Sequence, residues 1–178
     1  MQRKLLAIII LTGIIISLSS CAPTPQTDAL CILNRAAQFN IEGVRNGVKF
    51  SAILTLGEVG EDGSRCGEIS FSAPDAFAAL TVRTNCGVWE AEIDGVKISG
   101  DAARALGAPL APFMRKSSAV GAELIKSGSE AQTLITVPSE GGKIEFSIDK
   151  NGHPISLREK NSADDTIMEF KITEFKTK

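Results

Sequence analysis

Tyrosine is absent from this 178-residue chain, Trp89 is its one tryptophan and His153 its one histidine. Few aromatic platforms are left for stacking on sugars or bases, which weighs against carbohydrate and nucleic-acid recognition. Basic clusters are equally scarce. None in the body of the chain is longer than Arg115-Lys116, so there is neither a phosphate-tracking stripe nor a polybasic membrane patch, and no nucleic-acid partner is expected. A lone histidine and scattered cysteines supply no C-x-x-C or H-x-x-x-H spacing for a metal. Gly141-Gly142 lacks the lysine and the helix context of a phosphate loop.

Catalytic duty at His153 would need a nucleophile or carboxylate with a reason to be near. Within Asn151-Gly152-His153-Pro154 it reads as a solvated turn residue. Asp62, in Glu61-Asp62-Gly63-Ser64, and the pair Asp164-Asp165 read as turn formers rather than calcium ligands. No catalytic residue, metal or cofactor is expected, and the chain is not read as an enzyme.

Long hydrophobic runs are also missing. The longest covers residues 5–18, whereas a membrane span needs about 20 apolar residues. Preceded by Met1-Gln2-Arg3-Lys4, it has the basic n-region and apolar h-region of a secretory signal. Leu18-Ser19-Ser20-Cys21 closes the run and resembles the lipobox of bacterial lipoproteins. That resemblance implies lipidation, with palmitate or a similar acyl group, at Cys21, which becomes the first residue of the mature chain. An uncleaved anchor and an ordinary signal peptide are the alternatives. Residues 1–20 are thus read as signal peptide and 21–29 as a lipidated tether, extended because Ala22-Pro23-Thr24-Pro25 cannot continue a helix. Residues 30–178 are read as one domain. The expected location is the cell membrane or outer membrane, facing the extracytoplasmic side.

Removing residues 1–20 takes away Arg3 and Lys4 and no acid. The 19 basic residues against 21 acidic ones become 17 against 21, a mildly acidic body. The 158 residues that remain suffice to bury about two thirds of the unfolded surface. With Cys21 assigned to lipid, Cys31, Cys66 and Cys86 are left, an odd number. Cys66 and Cys86 flank a hairpin and form the candidate disulfide in an oxidising compartment. Register argues the other way. Matching apolar faces sets Ile69 opposite Val82 and Phe71 opposite Leu80, which leaves Cys66 one residue out of line with Cys86 unless a bulge near Gly67 or Gly87 resets it. Cys31 reads as a buried thiol.

What the chain does have is alternation. After a short amphipathic helix expected over residues 30–39, with Leu30, Leu33, Ala37 and Ile41 on one face, the period falls to two. Val48, Phe50, Ala52, Leu54 and Leu56 define one strand face; Ile69, Phe71 and Ala73 a second; Ala78, Leu80 and Val82 a third. Asp94-Gly95 between two alternating runs is a preferred two-residue hairpin turn and pairs Ile93 with Val96 and Ala91 with Ile98. Asp101 is a suitable N-cap for a helix over residues 102–106, and Pro109 and Pro112 keep that helix from extending into one long rod. Residues 123–127 lean to strand. Further strands are expected around residues 133–137, 143–149, 155–157 and 167–175, with a turn at Asp149-Lys150-Asn151-Gly152. The total is about nine strands around one helical interruption.

The predicted class is mainly β, α+β in type: a curved antiparallel sheet forming an unclosed β-barrel, with the broken apolar insert of residues 102–114 filling its concave side. A β-sandwich is the alternative. The order of elements, with Gly67-Glu68-Ile69-Ser70-Phe71-Ser72-Ala73-Pro74, the Asp94-Gly95 hairpin, the helical insert and Ile148-Asp149 before Gly152-His153-Pro154, resembles the LolA/LolB-type lipoprotein carriers. That resemblance implies an apolar cavity for acyl chains under a helical cover, in a membrane-tethered member because of Cys21. No acyl-binding motif carries over residue by residue. Polarity alone marks Trp89, Leu106, Leu110, Phe113 and Met114 as candidate pocket lining. The expected partners are the membrane, through the N-terminal lipid, and a lipid or lipoprotein acyl chain, with the protein itself a monomer. A non-enzymatic envelope interaction module with a solid core is the alternative, because a filled core and an apolar pocket use the same residues.

Overall fold

A computed structural model describes residues 34–85, 87–114, 121–127, 130–139 and 141–177. The period-two segments become β2 (Val48–Leu56), β3 (Gly67–Ala73), β4 (Thr81–Asn85), β5 (Val88–Ile93) and β6 (Val96–Ser99). After the insert come β7 (Gly121–Ser127), β8 (Glu130–Ser139), β9 (Gly142–Ile148), β10 (Pro154–Asn161) and β11 (Thr166–Thr177). Eleven strands are present among the described residues where about nine are expected, and Ala78, expected on the apolar face of the third, is exposed at the end of a 3-10 turn (Asp75–Phe77) before β4. One strand is not expected at all. Ala37–Arg45 is β1, not the end of a helix, and the earlier part of the expected helix lies outside the described residues. Ala37, Phe39 and Ile41 are buried while Gln38, Asn40 and Glu42 are not, so the segment also alternates with period two. Pairing with β2 on one side and β11 on the other satisfies its backbone along both edges, which outweighs a weak helical pattern.

The described strands form one 11-stranded sheet in the order β6-β5-β4-β3-β2-β1-β11-β10-β9-β8-β7, every neighbouring pair antiparallel. It is therefore two meanders, fused where the last strand returns to the first. The curved sheet stays open, with β6 and β7 as its edges, and the unclosed-barrel reading holds over the sandwich. The register agrees with the sequence pattern at both hairpins tested: Ile69 faces Val82, Ile93 faces Val96 and Ala91 faces Ile98. Asp94 and Gly95 take φ of 50° and 81°, as a two-residue hairpin turn requires.

Phe39, Ile41, Leu54, Ile69, Phe146, Leu157 and Phe170 fill one face of the sheet. Over them lies the insert, α1 (Asp101–Leu106) followed by a 3-10 turn (Ala111–Phe113). Asp101 is the first helical residue and not the cap. Gly100, with φ 72°, holds that position without a side-chain bond, and the Asp101 carboxylate instead sits in the first turn, where the helix dipole favours it. Two glycines let the insert lie flat. A Cβ on Gly107 would come within 2.8 Å of both Trp89 Cζ3 and Val82 Cγ1, and one on Gly67 within 2.6 Å of Met114 Cε. Val48 and Val96, read from sequence as inward, are 52% and 60% exposed because they end their strands at the rim.

Candidate functional site

Beside the insert the concave face is not filled. A cavity of about 220 Å³ opens where β2 and β3 supply Phe50 and Phe71, the chain between β3 and β4 supplies Phe77 and Leu80, and the insert supplies Leu106 and Pro109. Alternation explains the first pair, since both belong to the apolar parity of their strands. Phe77 arrives on a 3-10 turn (Asp75–Phe77) that follows Pro74. The rings interlock edge to face or tilted, with centroids 6.1 Å apart for Phe50 and Phe71 and 6.2 Å for Phe71 and Phe77. The rim is polar. Arg45, at the end of β1, and Asn46, in the turn after it, complete the wall. The Arg45 Nη1 donates to the carbonyl of Ala105 at 2.8 Å, so the guanidinium spans from the sheet to the insert. On the same face, across β11 from Arg45, Glu159 of β10 is half-buried. Loss of solvent raises its carboxyl above the usual range, and the Arg45 charge opposes that rise.

On the other side of the insert a second cleft, about 500 Å³, is bordered by Arg65, Thr84, Trp89, Arg104, Ala111 and Met114 among others. Arg65 is 4% exposed. Its guanidinium donates to Gly57 O at 2.6 and 2.9 Å, to Arg35 O at 2.6 Å and to Phe113 O at 3.3 Å. Burial lowers its pKa to about 10. Arg65 thereby joins the start of the described chain, the loop after β2 and the end of the insert.

The residues marked from sequence are divided by the structure. Leu106 walls the apolar cavity, whereas Trp89 and Met114 border the second cleft. Leu110 and Phe113 are 0% and 2% exposed. They pack the insert onto the sheet, with the Phe113 ring centroid 5.5 Å from Phe39, 5.7 Å from Phe146 and 6.3 Å from Phe170. Cys66 is a free, exposed thiol that donates to Asn85 Oδ1 at 3.0 Å, the position the hairpin register assigns to it. Cys86, Cys21 and Cys31 lie outside the described residues. His153 is exposed in the β9–β10 turn, its backbone amide on Asp149 Oδ1 at 2.8 Å and its ring 5.7 Å from Phe175. Among the described residues no group of three or more His, Cys, Asp or Glu could hold a metal, and no helix is long and apolar enough to cross a membrane.

Sequence reading missed Arg45, Phe50, Phe71, Phe77, Leu80 and Pro109 as one wall. A signal existed. Arg45 is the charged end of the row Ala37, Phe39, Ile41, Gly43, so it stands on the apolar parity of its strand, but assigning a helix to residues 30–39 hid that row.

No protein-family model matches the chain, and no curated protein matches its sequence. Solved structures do share the fold. An uncharacterized conserved protein from Thermus thermophilus aligns with a TM-score of 0.54 at 12% identity, over 87% of this chain and 88% of that one. MucB aligns with a TM-score of 0.51 at 18% identity over 85% of this chain; the match spans 58% of MucB itself. The LolA superfamily protein NE2245 from Nitrosomonas europaea is similar more loosely, with a TM-score of 0.47 and 9% identity over 88% of this chain and 94% of that one.

Proposed function

We propose that this chain is an envelope protein, anchored through lipid on Cys21, that holds an acyl chain on its concave face as carrier, acceptor or sensor. The observation that supports the reading most is the cavity at the mouth of the sheet. Phe50, Phe71, Phe77 and Leu80 line it together with the polar rim, and the insert, a segment short enough to move as a lid, contributes Leu106 and Pro109. The signal-like run closed by Cys21 supports an extracytoplasmic, membrane-tethered protein, and the element order resembling the LolA/LolB-type carriers supports the ligand class. At about 220 Å³ the cavity lies below the 300–1,000 Å³ of drug-sized sites. It suits one chain or part of one unless the insert lifts.

A specific observation favours a second reading. Leu110 and Phe113 seal the centre of the sheet as a solid core, which is what an envelope interaction module without a ligand would have. One experiment separates the two. Every described core residue lies from Ala37 onward, so the chain beginning at Ala22 keeps the whole described core. Secreted without its lipid anchor and taken from the envelope, it should carry one acyl ligand per molecule in native mass spectrometry. Uniformly empty protein would favour the interaction module.

A further inference from the structure

Resting on that reading, we infer that the mouth cavity selects a single-chain amphiphile with an anionic head group, and that Arg45 is the residue that recognises the head. Among the described residues, Arg45 is the one charged side chain in the cavity wall and Asn46 the one other polar one; the remaining seven wall residues are apolar. An acyl tail lying between Phe50, Phe71 and Leu106 therefore has a single direction in which its polar end meets a charge. With the insert seated, the cavity volume of about 220 Å³ leaves no room for the several chains of a fully acylated lipoprotein.

The guanidinium has donors to spare. It offers five N–H groups in a fixed fork, and one bond, from Nη1 to Ala105 O, is formed to the protein. The fork suits carboxylate and phosphate oxygens alike, which it can meet with two parallel bonds. The competing charge on this face is Glu159. It feels the Arg45 charge but forms no ion pair with it, and its own ionisation is disfavoured by burial. Arg45 also ties the insert to the sheet through Ala105, and its positive charge offsets the carbonyl end of that helix, which by itself would disfavour an anion.

Binding of dodecanoate, dodecyl phosphate, dodecan-1-ol and a triacyl lipopeptide to the chain beginning at Ala22 tests the inference. A charge-assisted hydrogen bond predicts that both anions bind about tenfold or more tighter than the alcohol. The advantage should shrink as salt rises, because the rim is open to solvent. Whichever anion leads identifies the head group as carboxylate or phosphate. Arg45→Gln should collapse the ratio of anion to alcohol affinity toward one, while Arg45→Lys retains most of it. Reading a ratio within each variant keeps the test independent of any change in stability. Equal affinity for alcohol and anions in the unmodified chain, or an unchanged ratio in Arg45→Gln, overturns the inference and leaves acyl binding standing. Tighter binding of the triacyl lipopeptide than of either anion overturns the single-chain assignment. Failure of all four probes to bind removes the underlying reading, and the inference with it.

Discussion

Replacing Phe113 by alanine asks how firmly the insert is seated. The ring is 2% exposed and makes three aromatic contacts, to Phe39, Phe146 and Phe170. Truncating a buried phenylalanine costs about 3–5 kcal/mol through lost transfer energy and the cavity left behind. Each aromatic pair adds on the order of 0.5–1.5 kcal/mol beyond area, so the expected loss sits at the upper end, about 4–5 kcal/mol. Against a typical total stability of roughly 5–15 kcal/mol this leaves a marginal domain. With a urea slope of about 2 kcal/mol per molar, the unfolding midpoint should fall by about 2 M. Chemical denaturation followed by Trp89 fluorescence reads this directly, because Trp89 is buried against Gly107 of the same insert. A midpoint shift below about 0.25 M, with an unchanged slope, would refute the packing argument, since that corresponds to the roughly 0.5 kcal/mol range of a surface substitution.

Gly107→Ala should cost roughly 1–3 kcal/mol in the same assay, because the new methyl would overlap both Trp89 and Val82, which are fixed in the core; a neutral result would mean that the insert floats. Arg65→Met removes the donors that serve the carbonyls of Arg35, Gly57 and Phe113, and stranding those acceptors should lower stability by about 3 kcal/mol or more. Glu159→Gln should raise the melting temperature at neutral pH and lose that advantage in acid. The sign comes from burial: a carboxyl whose folded pKa is raised above its unfolded value favours the native state while protonated and costs stability as pH rises through the folded pKa. Melting curves at pH 4 and pH 7.5 check it, and a variant less stable than the parent at neutral pH would show the Arg45 attraction to dominate instead.

Much of this sheet could be read from alternation because one face of each strand is buried, which ties side-chain period to facing. The Asp94-Gly95 hairpin is the clearest case, as turn chemistry and register specify the same pairing. Asn46-Gly47 carries the same kind of signal, with φ of 48° and 80°, and joins β1 to β2. It passed unused because residues just before it also fit a helical face. Short windows hold both periods, and the pairing of β1 with β11, more than a hundred residues away, is what decides between them. The site was legible only in outline. Polarity identified the insert as the cover, but it cannot distinguish Leu106, which walls a space, from Leu110, which fills one. Those two differ by one turn of broken helix. Arg45 was hidden for the same reason as β1.

The central claim is that an acyl chain enters the space between Phe50, Phe71 and the insert. Methyl-resolved NMR of the chain beginning at Ala22, titrated with dodecanoate, addresses it most directly. Leu80 and Leu106, which wall the cavity, should shift in proportion to occupancy, while Leu54 and Leu157, fully enclosed in the core, stay in place. Saturable shifts at Leu80 and Leu106 are the predicted result; unmoved Leu80 and Leu106 at saturating dodecanoate would contradict the account.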